Sequence, residues 1–372
     1  MKKAYVLTFF FGTNYGSKLQ ATATCKWLEK QGYEVSFIKT FLDPVHLLKH
    51  PSLIYTRIQN YIHRSECESF FNSDPYDISE KRQRRIDRYN KDNLPFITIK
   101  SHKQWKEILR DNPVFISGSD IIWQPANGYP EKYFLDFAYY TKCKRISYSS
   151  SVGSPSLPIK YKKFYKKYLG SYDAISVREN ATRDLFKGII DNTITKVIDP
   201  TLLVSREIWD ELSAKAEIKN DIIPNQYILC YFVMKDDRYW KYVELASKET
   251  GLKIVVLPMH KQDEESGYNI IDDGTPYEFI WLIRNAAFII TDSFHASVFS
   301  FLYEKELYIL KRARGDEDEK FNDLTKRYGL ENRIVLEESV FNRNEYISDD
   351  INKERLIADR KNSEEYLINA LS

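Results

Sequence analysis

The segment at residues 4–38 constrains the fold most. An apolar run at residues 4–10 leads into the loop GTNYGS. Residues 19–30 then place Leu19, Ala23 and Trp27 at four-residue spacing, Gly32 stops the helical pattern, and residues 34–38 are apolar again. Strand, Gly-containing loop, helix and strand in that order form a βαβ unit, which implies a parallel sheet. The alternation returns with strand-like runs at residues 114–118, 145–150, 174–177 and 196–199. Residues 41–100 are less regular. They hold Pro44, Pro51, Pro75, HLLKH and the basic run KRQRRIDR at residues 81–88, and read as helical and loop insertions.

The polar stretch AKAEIKNDIIPN, residues 214–225, reads as a linker, with Pro224 near its end. A second strand–helix series follows. YILCYFV and KIVVLP are strands flanking a helix near residues 239–249, and NIID is a short strand. Residues 276–286 form a helix with Pro276 at its start, where the missing N–H costs nothing. FIITD is a strand, residues 294–303 a helix, LYIL a strand, and residues 354–371 a closing helix. The expected class is α/β. Two Rossmann-like parallel-sheet domains, residues 1–213 and 225–345, face a cleft at the carboxyl ends of their strands, with residues 346–372 closing the chain. A length of 372 residues suits two such domains.

Composition excludes more than it assigns. The formal net charge of +2 gives no continuous electrostatic footprint for nucleic acid. Cys25, Cys67, Cys143 and Cys230 are scattered without a C-x-x-C pair, so neither a zinc site nor a redox motif is signalled. The basic start and short apolar run resemble a signal peptide, but the run is polar again by Thr13 and no small-residue cleavage site follows. No apolar stretch reaches spanning length. The expected location is a reducing cytoplasm. The 27 Tyr and 21 Phe suit sugar-facing surfaces, yet so many must mostly serve packing.

TDSFHAS, residues 291–297, is the first candidate site. Thr291 and Asp292 fall at the carboxyl end of a strand, and the next helix aims its first N–H groups at the same spot, a geometry that suits an anion. His295 falls in the first helical turn and can exchange a proton near neutral pH. The other reading is a cap formed by Asp292 or Ser293. The spacing is not H-x-x-H, so no metal is expected.

In GTNYGS, Gly12 and Gly16 allow a turn whose N–H groups could receive a phosphate, carboxylate or sugar hydroxyl; a purely structural turn is the alternative. FISGSDIIWQP ends a strand in Ser117, Gly118 and Ser119, then Asp120 and Trp123. G-x-S-x-G is absent, so a binding loop is expected rather than a serine hydrolase. Arg178 stands just past an apolar strand, where its planar fork matches carboxylate or phosphate; a bridge to Glu179 or Asp199 is its structural alternative. VIDPTLL reads as a strand ending in an Asp-Pro turn. The basic runs KYKKFYKKY and KRQRRIDR read as solvated helix faces, though either could touch acidic phospholipid heads.

Together these segments resemble the polysaccharide pyruvyl transferase family. NYGSKLQ is similar to its opening element, and FISGSDIIWQP to its G-S-D-x-x-W-x-P element. YFLDFA, ISYSSSVG, ISVREN, VIDPTLL and TDSFHAS follow in family order. In TDSFHAS, Ser293, Phe294 and Ala296 replace the Arg, Leu and Gly of some members. The resemblance implies a GT-B-like fold, phosphoenolpyruvate as donor substrate and a pyruvate ketal as product. It implies no cofactor or metal. The acceptor would be a sugar hydroxyl pair in a glycan or its lipid-linked precursor, which leaves room for peripheral contact with a membrane surface. Arg178 and His295 match positions tied to donor binding and catalysis. Thr291, Asp292 and Ser293 are expected beside them on the donor side, with Asp292 a candidate to orient His295. Asn14, Tyr15, Gly16, Ser119, Asp120 and Trp123 are expected on the acceptor side. A nucleotide-sugar-dependent GT-B glycosyltransferase and a non-catalytic glycan-binding relative are the alternatives.

Overall fold

The first crossover forms with shifted bounds: β1 is Lys2–Leu7, helix α1 is Tyr15–Lys30 and β2 is Tyr33–Phe41. The computed structural model describes the chain except residues 42, 56–57, 59–78, 125–129, 155, 220, 265–266, 312–318, 337–339, 342 and 344–349. Cys67 and Pro75 lie outside the described residues. Strand β1 ends three residues short of the apolar run because Phe10 is buried as a loop residue against Phe37. Helix α1 starts earlier than its apolar spacing suggests because Asn14 caps it, accepting a hydrogen bond from Ser17 N at 3.2 Å.

The remaining strands of the first domain are β3 (Phe96–Ile99), β4 (Val114–Ser117), β5 (Arg145–Ser147), β6 (Ile175–Val177) and β7 (Ile194–Lys196). The parallel order is β3-β2-β1-β4-β5, and isolated bridges Ile146–Ala174 and Ser150–Val177 carry it on to the β6-β7 pair. The second domain repeats the plan. Its strands are β8 (Tyr227–Tyr231), β9 (Lys253–Val256), β10 (Asn269–Ile270), β11 (Phe288–Thr291) and β12 (Glu306–Ile309), in the parallel order β10-β9-β8-β11-β12. In each sheet the order reverses beside the first strand of its domain, between β1 and β4 and between β8 and β11. Loops leaving those carboxyl ends diverge and open a crevice. The α/β class, with two Rossmann-like domains in a GT-B-like arrangement, therefore stands.

Residues 41–100 do more than insert. They supply edge strand β3 and helix α2 (Glu80–Asn93), which joins the domains. The basic run on α2 is not a solvated face. Arg82 is fully buried and donates to Pro258 O of the second domain at 2.9 Å and to the Tyr15 hydroxyl, which donates to Gly274 O. Arg85 pairs with Glu278 at 2.7 Å and with Asp273 at 3.0 Å. Periodicity could not show this, because the acceptors belong to the other domain. Rings of Tyr15, Tyr231 and Phe279 continue the seam, with centroids 5.1–5.7 Å apart. The other basic run, on α3 (Ile159–Leu169), does keep Lys162, Lys163 and Lys166 exposed while Tyr161, Phe164, Tyr165 and Tyr168 are buried.

Four further helices bear on the site. They are α4 (Pro200–Leu203), α5 (Pro276–Asn285), α6 (Phe294–Leu302) and α7 (Asp350–Leu371). Helix α5 opens on a capping box between Thr275 and Glu278, with Pro276 in its first turn. Helix α7 returns to the first domain, where Tyr366 donates to Ser147 O at 2.8 Å and Arg360 to Leu202 O at 2.6 Å. No described helix is long and apolar enough to cross a membrane.

Candidate active site

The two switch points face each other, and α1 begins between them. Gly16 lies so close to α6 that a Cβ built on it would stand 2.1 Å from Nδ1 of His295. Next to it, Ser17 Oγ donates to Asp120 Oδ2 at 2.8 Å, which ties α1 to the loop after β4. Asp120 has φ of 78°, in the left-handed region that few residues other than glycine adopt. Ser149, after β5, has φ of 57°. Non-glycine residues held there mark loops whose shape the surrounding structure enforces.

Asp199 is the centre of the cluster. Its Oδ1 accepts from Thr201 N at 3.0 Å and from the Thr201 hydroxyl at 2.7 Å, capping the short helix α4. Its Oδ2 accepts from Arg178 Nη1 at 3.1 Å and from Ser119 Oγ at 3.2 Å. The same oxygen lies 3.6 Å from His295 Nε2, an ion-pair distance longer than a hydrogen bond. Burial alone would raise the Asp199 carboxyl, but His295 and Arg178 outweigh it and hold it well below the usual carboxylate range.

Arg178 meets both partners that its structural alternative named. Nε donates to Glu179 at 2.7 Å and Nη1 to Asp199, while the fork lies 4.7 Å from the Phe294 ring centroid, across the domain boundary. Burial opposes its charge, yet Glu179, Asp199 and Asp120 together raise its affinity for the proton. One edge remains. Arg178 Nη2 and His295 Nε2 are both buried with no hydrogen-bond partner among the described residues. An unpartnered buried donor is costly, and here one belongs to each of the two cationic groups set beside Asp199.

The other expected donor contacts turn inward. The Thr291 hydroxyl donates to Tyr231 O at 2.5 Å, and Asp292 accepts from Val233 N at 2.6 Å and Met234 N at 2.9 Å. Asp292 thus pins the loop after β8, and the carboxylate facing His295 is that of Asp199. Ser293 caps α6, accepting from Ala296 N at 3.3 Å. The cap reading therefore holds for Ser293, and α6 aims His295 from that cap.

On the acceptor side, Gly16, Ser119 and Asp120 reach the cluster. Asn14 is the cap of α1. Trp123 does not face a cleft: its ring is fully buried against Phe134, and Nε1 donates to Tyr133 O at 3.2 Å. Tyr15 is likewise buried at the domain seam, where burial pushes its hydroxyl up to about 12. Both are packing residues because the apolar neighbours that cover them come from distant segments. Sequence reasoning named Asp199 only as a bridge partner of Arg178 and passed over its place at the centre of the site. The usable signal was that VIDP, like IITD, ends a strand in an aspartate that heads a helix.

Among solved structures, the chain is similar to a putative UDP-N-acetylglucosamine 2-epimerase from Listeria monocytogenes, at 12% identity and a TM-score of 0.50, covering 98% of this chain and 89% of that one. It is also similar to the UDP-GlcNAc 2-epimerase of Methanocaldococcus jannaschii, at 15% identity and a TM-score of 0.48, over 97% and 92% of the two chains. An E. coli heptosyltransferase matches at 11% identity and a TM-score of 0.39, over 84% and 90%. At such identities only the first match bears on this chain, and it bears on the fold alone. No curated protein matches the sequence. The family model for polysaccharide pyruvyl transferase matches residues 14–312, from the cap of α1 to beyond β12. The chain belongs to the polysaccharide pyruvyl transferase family.

Proposed function

We propose that this protein transfers the pyruvyl group of phosphoenolpyruvate onto two hydroxyls of one sugar, forming a pyruvate ketal in a glycan or its lipid-linked precursor. The observation that carries this reading is the pair of buried, unpartnered nitrogens, Arg178 Nη2 and His295 Nε2, one from each domain. A fork nitrogen and an imidazole nitrogen suit a donor that combines anionic oxygens with a carbon needing a proton. Glu179 and Asp199 already offset the charge of Arg178, and His295, beside the same Asp199 oxygen, offers a group that can carry a proton toward an anionic donor.

The reaction follows from these roles. His295 gives a proton to the C3 methylene as one sugar hydroxyl adds to C2, and that hydroxyl loses its proton to Asp120. A second hydroxyl of the same sugar then displaces phosphate at C2, and its proton leaves with the phosphate. His295 and Asp120 exchange protons with water to reset. Donor and diol thus become ketal and phosphate with no water consumed. Half-buried Asp120, held by Ser17, positions the acceptor.

The test is a product assay with the full chain and a panel of hexosides that carry free hydroxyl pairs. Phosphate release from phosphoenolpyruvate that depends on the hexoside supports the reading. Release of nucleoside diphosphate from a nucleotide sugar instead would assign the site to glycosyl transfer.

A further inference from the structure

We propose that Asp199 is the positioning residue of this site, setting the Arg178 fork of one domain and the His295 ring of the other against a single carboxylate oxygen. The inference rests on the reading that Arg178 and His295 receive the donor, and it names the group that aligns them. Thr201 occupies Oδ1 through both its N–H and its hydroxyl, so the carboxylate cannot rotate and Oδ2 has a fixed place. Ser119 Oγ donates to that oxygen from the loop after β4, which steadies it further. The partners therefore adjust to Asp199, not Asp199 to them.

The surroundings show which groups can respond. Arg178 at the end of β6 and His295 on α6 supply the positive charge near Asp199. Tyr148 after β5 also senses its carboxylate, while Glu179 and Asp120 act on Arg178. A buried carboxylate 3.6 Å from Nε2 gives the His295 ring a fixed partner to lie against. The same oxygen holds the Arg178 fork through Nη1, so both cationic groups are set against one point. The alternative is that Asp199 only caps α4. The two roles separate cleanly, because Asn caps a helix about as well as Asp but carries no charge.

The experiment uses the full chain as wild type, Asp199→Asn and Asp199→Glu, with His295→Gln to assign the His295 ring signal by its disappearance. The ring's carbon–proton resonance is followed from pH 5 to 9, and phosphate release from phosphoenolpyruvate is followed over the same range. In Asp199→Asn the ring signal should lie at a chemical shift clearly different from that of wild type across the range, because the carboxylate 3.6 Å from Nε2 has lost its charge. The value of kcat should drop tenfold or more with KM changing less, since a small misplacement of an aligned group is enough for that. Asp199→Glu keeps the charge but lengthens the arm. Its ring signal should stay near that of wild type while kcat falls, and this variant decides the matter if the Asn variant does not fold. An unmoved ring signal in folded Asp199→Asn, or an unchanged kcat in Asp199→Glu, overturns the proposal. A ring signal that moves in a protein releasing no phosphate from phosphoenolpyruvate supports the positioning role and overturns the donor reading alone.

Discussion

Replacing His295 by Gln should lower hexoside-dependent phosphate release from phosphoenolpyruvate by a factor of ~10² to 10⁴, the usual range for losing a positioned acid–base group. The unfolding temperature should change little. The ring is nearly enclosed, with Gly16 on one side, Phe294 with its centroid 5.2 Å away and Asp199 before Nε2. Gln fits a similar volume and keeps an N–H for Asp199, so packing and the cap at Ser293 persist. What it loses is the exchangeable proton. Steady-state kinetics beside a thermal melt check this. A drop of only a few fold in a folded variant would make His295 a packing residue and leave the chemistry without its proton donor.

Gly16→Ala should cost about as much activity by another route. A Cβ at Gly16 would stand 2.1 Å from Nδ1, 2.5 Å from Cγ and 2.8 Å from Cβ of His295. Two of those atoms belong to the stiff ring and the third sits beside the backbone of α6, so no flexible tip can swing away. Either the ring turns off Asp199 or α1 withdraws from α6, and each displaces the proton from the donor. A shift near 1 Å at an aligned group corresponds to a ~10²-fold loss in kcat. Overpacking adds a stability cost of about 1–3 kcal/mol. Urea unfolding and kcat measured on the same preparation test both parts. Near-normal kcat would mean that the close approach of α1 to His295 has no part in turnover.

These two residues show where the sequence was readable. His295 could be placed because a strand end and a helix start fall within seven residues, and that handover fixes its turn. The same local logic finds eleven of the twelve described strands to within a few residues; β3, Phe96–Ile99, lies in the stretch read as helical and loop insertions. Asp199 escaped because Asp-Pro has a sufficient local explanation as a turn, and its partners come from β6, the loop after β4 and the other domain. Arg82 escaped for the same reason: five positive residues on a helix look solvated until Pro258 O, 176 residues away, closes over one of them. Trp123 erred in the opposite direction, since an aromatic past a strand end looks available until Phe134 and Tyr133 cover it. Local pattern fixes which element a residue belongs to. Burial and the partner of a charge are set by chain segments far apart, and only the fold brings those together.

The position of the bound donor is the most direct test of these roles. A crystal structure of the full chain with phosphoenolpyruvate should place an anionic oxygen within about 3.2 Å of Arg178 Nη2, and the C3 methylene on the side of His295 Nε2. Phosphoenolpyruvate lying remote from both nitrogens, with Nη2 and Nε2 still unpartnered, would contradict it.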